Sequence, residues 1–134
     1  MITIKTIVNA SMEKVWDNFT NPYHIVNWNT ASKDWHCTRA INNLEVGEKF
    51  NYEMASNDGK ISFEFEGEYT EIITNKIIRY ILADNRKVDI NFKQTANGIE
   101  INEMFDPEKE NSEELQQEGW QNILNNFKNY TEQK

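Results

Sequence analysis

The sequence predicts an α+β fold in two layers: a curved antiparallel β-sheet wrapped around one long C-terminal α-helix, with two short helices after the first strand. Three observations carry this. Residues 50–105 alternate apolar and polar side chains with a period of two, in segments of strand length. The links between the last of those segments, about 83–87 and 95–98, are too short for the dozen or more residues of a parallel crossover, so neighbouring strands must be antiparallel. From Ser112 the period changes to 3.6 and holds for about 20 residues, roughly 30 Å at 1.5 Å per residue, enough to lie across a sheet of this size.

The elements follow in order. Ile2, Ile4 and Thr6 alternate with Thr3, Lys5 and Ile7, as in a first strand. Asn9-Ala10-Ser11 breaks the alternation, and Ser11 is placed to cap a helix by accepting from the Lys14 amide. Met12, Val15, Trp16 and Phe19 then fall at i, i+3, i+4 and i+7, one helical face. Asn21-Pro22 opens a second short helix ending near Trp28, and residues 28–37 read as a loop entering a strand. Phe50, Tyr52 and Met54 share a strand face, and Asn57-Asp58-Gly59 is a hairpin turn. Ile61, Phe63, Phe65, Gly67 and Tyr69 form one face of a long strand, whose other face reads Ser62, Glu64, Glu66, Glu68, Thr70 and suits solvent. Gly67 inside it implies a bulge or the close approach of something large. Strands near 77–82, 88–94 and 99–105 follow. Ser112 caps the long helix, with Glu113 and Glu114 at its positive N-terminal end. Leu115, Trp120, Ile123, Leu124, Phe127 and Tyr130 read as its apolar stripe, and Gln116, Gln117, Asn122, Asn125 and Asn126 mostly as its polar side. With no repeat, no low-complexity linker, two Pro and five Gly, residues 1–134 are expected to form one domain.

Charge and composition exclude several functions. Lys and Arg number 14 against 22 Asp and Glu, a net charge of −8, which opposes binding to nucleic acid or to an anionic membrane surface. No apolar run is long enough to span a bilayer, and the opening MITIKTIVNA has none of signal-peptide length. One cysteine, Cys37, allows no internal disulfide, so a reducing, cytoplasmic setting is expected.

Few residues carry chemistry. His36 and Cys37 are adjacent on a strand and point to opposite faces, which rules them out as a catalytic pair. The other histidine, His24, lies on the short helix, and no nucleophile-elbow motif occurs. One Cys and two His without i, i+4 spacing do not make a zinc site. No catalytic residue, metal ligand or cofactor site is therefore assigned. Glu103 interrupts the series Ile99, Ile101, Glu103, Phe105, so its carboxyl faces inward if the alternation holds. There it is suited to a ligand hydroxyl or to general acid–base work; a bulge turning it outward, or pairing with Arg79 or Arg86, would remove both roles. Trp28 and Trp35 either lid a pocket or close one end of the core. Tyr52, Tyr69 and Tyr80, with Phe50, Phe63, Phe65, Phe92 and Phe105, fit an apolar cavity with a few directing hydroxyls. Gly119 sits inside the long helix, where Gly costs about 1 kcal/mol relative to Ala. It implies close approach to a strand or an empty volume beside the helix, with Gly67 as a candidate partner across the gap. The acidic stretch 108–118 reads as a solvated loop and helix start, with a docking surface as the alternative.

Several local words carry a resemblance. VWDNFTNP after the first strand, the Trp28 and Trp35 region, VGEKFNYEM, NDGK with FEFEGEYTEI, and EGWQNILNNFKNY together are similar to the START-like (SRPBCC) superfamily. More narrowly they resemble its branch named for heat-shock ATPase activator homologues and polyketide cyclase-like proteins. The likeness spans about residues 3–130, and its more specific elements are G-x-[FY]-x-E-[IV] followed later by GW-x-x-[IL]-L. It implies the helix-grip fold, with a deep cavity between sheet and C-terminal helix that holds lipids, aromatic polyketides or other apolar molecules. Some members are cyclases or dehydratases and a few contact protein partners; fold alone does not choose. The expectation is a non-catalytic binder of a small hydrophobic, lipid-like or aromatic polyketide-like molecule. Its site would comprise Trp28, Trp35, His36, Tyr52, Met54, Phe63, Phe65, Tyr69, Tyr80, Phe92, Glu103, Phe105, Gly119, Trp120 and Ile123. The alternatives are an enzyme of cyclase or dehydratase type on the same cavity, or a chaperone-linked interaction module tied to the stress response. Eukaryotic-type activators carry an additional domain for which 134 residues leave no room, and no protein partner is supported by the sequence.

Overall fold

The N-terminal strand β1 (Ile2–Val8) buries Ile2, Ile4 and Val8 on its inner face. The computed structural model describes residues 1–133; Lys134, the last residue of the expected domain, lies outside them. Ser11 caps α1 (Met12–Thr20) by accepting from the Lys14 amide, and Asn21 caps α2 (Pro22–Ile25) by accepting from that of Tyr23. Six strands follow: β2 (Trp35–Asn42), β3 (Lys49–Ser56), β4 (Ser62–Ile73), β5 (Ile77–Leu82), β6 (Lys87–Thr95) and β7 (Gly98–Phe105). The chain closes with α3 (Glu113–Glu132), capped by Ser112, which accepts from the Leu115 amide.

All pairings in the seven-stranded sheet are antiparallel, in the order β1-β7-β6-β5-β4-β3-β2. The meander β2 to β7 is sequential, and β1 returns to pair with β7, Ile4 opposite Glu103. The α+β layering and the curved sheet gripping one long helix are those the sequence predicts. Gly67 is a site of close approach: a Cβ there would stand 2.9 Å from two ring carbons of Phe50. It does not face Gly119 across a gap, because the Phe50 ring covers it. The irregularity in β4 comes later, between Tyr69 and Glu71.

The helix face departs from the expected stripe at its start. Gln116 is buried and Leu115 is 56% exposed. The seam runs Gln116, Trp120, Leu124, Phe127, Thr131, in steps of four and three, and Leu115 stands about 100° round the helix from Gln116. Gln116 is buried at no cost in unpaired polar groups. Its Oε1 accepts from the Glu108 amide at 2.8 Å, and its Nε2 donates to the carbonyls of Asn111 at 2.9 Å and Glu108 at 3.2 Å. The side chain thus ties the loop after β7 to the first turn of α3.

The flank of α3 serves the β1 edge of the sheet. Gln117, Gln121 and Lys128 donate to the carbonyls of Thr3, Lys5 and Ile7 at 3.1, 3.1 and 2.6 Å. These are the outward-pointing carbonyls of β1, so polar helix side chains satisfy an edge that would otherwise be open to another strand. At the other side of the core, Trp16 and Phe19 of α1 meet Phe92 in edge-on contacts at 5.2 and 5.3 Å. No helix among the described residues is long and apolar enough to cross a membrane.

Candidate functional site

Between the inner face of the sheet and α3 lies a cavity of about 350 Å³. Two residues of the helix keep it open. Trp120 stacks on Phe105 at 3.8 Å and 10°, and meets Phe65 edge-on at 5.9 Å, so a large ring props the helix off the sheet. Gly119 beside it adds no side chain: a Cβ there would find nothing within 4 Å. Phe50 and Tyr52 from β3, Phe65 and Tyr69 from β4, and Ile78 and Tyr80 from β5 supply most of the facing wall, with Ile90 and Glu103 from β6 and β7. Trp28 closes another side, its indole N–H donating to the Asn18 carbonyl at 2.9 Å while its ring packs on Phe19 and Phe127. Phe63, half exposed at the start of β4, and exposed Ala31 and Asn111 mark the openings.

The polar groups in the wall are few and specific. Tyr69 donates its hydroxyl to Asn42 Oδ1 at 2.6 Å. Burial pushes the Tyr69 phenol up to about 12, and holds those of Tyr52 and Tyr80 well above the usual phenol range. All three are neutral at physiological pH. Glu103 is 8% exposed, flanked across the sheet by Ile4 and Ile90. Among the described residues no group hydrogen-bonds its carboxyl. The two arginines expected as possible partners are engaged elsewhere. Arg79 lies on the outer face between Glu71 and Asp89, with its Nε 2.9 Å from Asp89 Oδ2, and Arg86 Nε donates to Asp84 Oδ2 at 2.7 Å. Burial alone pushes the Glu103 carboxyl up to about 8. At neutral pH it is mostly protonated, a buried acid with one donor and free acceptor capacity facing a cavity.

The structure brings together eleven of the residues expected at the site: Trp28, Tyr52, Met54, Phe63, Phe65, Tyr69, Tyr80, Glu103, Gly119, Trp120 and Ile123. Four lie elsewhere. Trp35, first residue of β2, packs on Phe63 at 5.4 Å and lines a separate shallow groove with Asn122, Asn125 and Asn126. His36 is exposed and bonds Asn57 Oδ1 at 2.9 Å, because strand alternation turns it out when Cys37 turns in. Phe92 is sealed beneath α1, and Phe105 is fully buried under the Trp120 ring. Several wall residues carry no sequence signal. Asn29, Ala31, Arg86, Glu108 and Asn111 come from loops, where no periodicity reports direction, and Thr20 ends a helix. Phe50, read from the sequence among the rings of an apolar cavity, is in the wall; Phe19 and Leu124 were legible only as inward-facing and Ile78 and Ile90 only as strand residues, because nothing local separates a core position from a cavity wall. Gln116 was hidden by its polarity. No cluster of three or more His, Cys, Asp or Glu able to hold a metal occurs among the described residues.

A curled antiparallel sheet gripping one C-terminal helix over an aromatic-walled cavity defines a START-like, or SRPBCC, protein. Within that class the model of the family described as activator of Hsp90 ATPase homolog 1-like protein matches residues 9–132, and the chain belongs to that family. An AHSA1-like protein from Aeromonas hydrophila, solved in solution, is 37% identical with a TM-score of 0.93, over 98% of this chain and 91% of that one. A protein of Cytophaga hutchinsonii is 48% identical with a TM-score of 0.85, again over 98% and 91%. A Chromobacterium violaceum protein at 19% identity and TM-score 0.87, over 99% and 98% of the two chains, shares the fold. Among curated proteins, none matches the chain.

Proposed function

We propose that this protein is a cytoplasmic, single-domain binder of a small, largely apolar molecule, held between the sheet and α3. The cavity itself carries the reading. Its volume of about 350 Å³ falls in the range of small-molecule sites, and its wall combines aromatic rings with a few neutral hydroxyls and one carboxyl. Membership in a superfamily that typically binds hydrophobic ligands supports the same reading. The eleven expected residues in the wall, joined by Phe50, Ile78 and Ile90, are the proposed contacts.

Native mass spectrometry of the protein as purified tests this directly, through a carried-over ligand. A thermal-shift screen of fatty acids, flavonoids and sterols is the second arm. A ligand at a free concentration of 100 times its Kd adds about 2.7 kcal/mol of stability, a rise in Tm of roughly 10 °C for a chain of this size. A protein that carries nothing and shifts with none of them overturns the proposal.

A further inference from the structure

We infer that the molecule held in this cavity carries a cationic amine at the end that reaches Glu103, with its apolar body against the aromatic wall. The inference rests on the cavity being a binding site. Glu103 is more than nine-tenths buried, faces the cavity, and has no hydrogen-bond partner among the described residues. The basic side chain that shares the wall, Arg86, is held by Asp84, and Arg79 is on the other face of the sheet. A purely hydrocarbon guest would leave the carboxyl unpaired in an apolar surround, which is costly. An anionic guest would meet the Glu108 carboxylate, and Glu103 wherever it ionises, in a protein of net charge −8, with Arg86 already held by Asp84. A cation is favoured by that field, by the carboxyl, and by the negative faces of the aromatic rings that line the same space, Tyr52, Phe65, Tyr69, Tyr80 and Trp120 among them.

In the empty cavity the carboxyl is protonated up to about pH 8. An ammonium guest binds its ionised form, so one proton passes from Glu103 to solvent on binding below that pH. The titratable and charged groups in the same wall are Tyr80 from β5, Tyr69 from β4, Tyr52 from β3, and Arg86 and Glu108 from loops. The tyrosines remain neutral throughout this range. α3 contributes Gln116, Gly119 and Trp120, α1 contributes Phe19 and Thr20, and the cross-strand neighbours are Ile4 and Ile90, none of them charged. Since only the ionised fraction is competent, affinity for an amine climbs about tenfold per pH unit toward pH 8 and then levels.

The test is titration calorimetry on the full chain with three probes of one shape: naphthylmethylamine, naphthylmethanol and naphthoate, between about pH 6 and pH 8.5. The expected result is amine binding at least about tenfold tighter than alcohol at pH 8, a preference that shrinks as pH falls. Buffers of different ionisation enthalpy should show about one proton released per amine bound at pH 7. Glu103→Gln should lose the preference and the pH dependence while still binding the alcohol, which also shows that it folds. If that variant does not fold, the pH profile and proton release of the wild type decide alone. Alcohol binding as tightly as amine, or a preference indifferent to pH or retained by Glu103→Gln, overturns the inference. Binding of the alcohol or naphthoate without the amine overturns it and leaves the cavity a binding site. Binding of none of the three overturns the inference, and the carried-over ligand and the thermal-shift screen then decide separately whether the cavity is a binding site.

Discussion

Glu103 inverts the usual dependence of stability on pH for a carboxyl. Its folded-state value is raised to about 8 from an ordinary 4.5, so between those values the native state binds more protons than the unfolded chain. Stability therefore falls as pH rises through that window and levels above it, because ionising the carboxyl in an apolar wall is what burial opposes. Glu103→Gln stays neutral. Its unfolding free energy should match the wild type near pH 4.5 and exceed it by a few kcal/mol at pH 8, as measured by urea unfolding at both. An equal gap at the two pH values would show that the carboxyl does not titrate in the folded protein. Gly119 makes the complementary case at the same scale. With nothing within 4 Å of its Cβ position, Gly119→Leu adds a side chain to open space and removes a helix-interior glycine worth about 1 kcal/mol. Stability should hold or rise while cavity binding is lost. A variant destabilised by the 1–3 kcal/mol typical of overpacking, yet still binding, would contradict this.

At the scale of elements, α3 is both lid and clamp. Its inner seam packs Trp120, Leu124 and Phe127, and Trp120→Ala should cost about 3–5 kcal/mol by urea unfolding. A cost under about 1 kcal/mol would mean the ring is not the prop that its stacking on Phe105 indicates. Gln116 ties the preceding loop to the helix through three hydrogen bonds between 2.8 and 3.2 Å. Gln116→Ala leaves the Glu108 amide without that acceptor, so its hydrogen exchange should accelerate and stability should drop by about 1–3 kcal/mol. Unchanged exchange at Glu108 would refute the tie. At its other end α3 is pinned by Tyr130, whose hydroxyl lies 2.6 Å from His24 Nδ1, so the C-terminal helix and α2 are joined where the loop leading to β2 begins.

At the scale of the whole molecule, the described residues include no cluster of three or more His, Cys, Asp or Glu able to hold a metal, and the layers meet through apolar packing of α3 on the sheet. Chelator treatment should leave Tm unchanged within about 1 °C, since removing a structural ion would withdraw its binding free energy from the folded state. A fall in Tm on chelation, or stoichiometric metal in the purified protein, would contradict this. Binding of a guest acts at the same scale in the opposite direction, by raising Tm through mass action.

The order of elements, the antiparallel meander and the Ser11 and Ser112 caps were determined by local sequence. Each follows from period, short connection or capping chemistry, which act over a few residues. The inward turn of Glu103, by contrast, was open to a bulge or an arginine partner until the unbroken register of β7 decided it. The amide of Gln116 and the exposed Leu115 show the limit of that reading, because a stripe drawn from polarity misplaces a polar side chain that tertiary partners satisfy. Phe92, Phe105 and Tyr80 were equally legible as inward-facing, and only packing separates them: α1 seals the first, Trp120 covers the second, and the third faces open volume. Whether an apolar face ends as core or as cavity wall depends on the distance to the opposing layer. That distance is set by Trp120 on Phe105 and by the missing side chain of Gly119, contacts between residues far apart in the chain that no local pattern records.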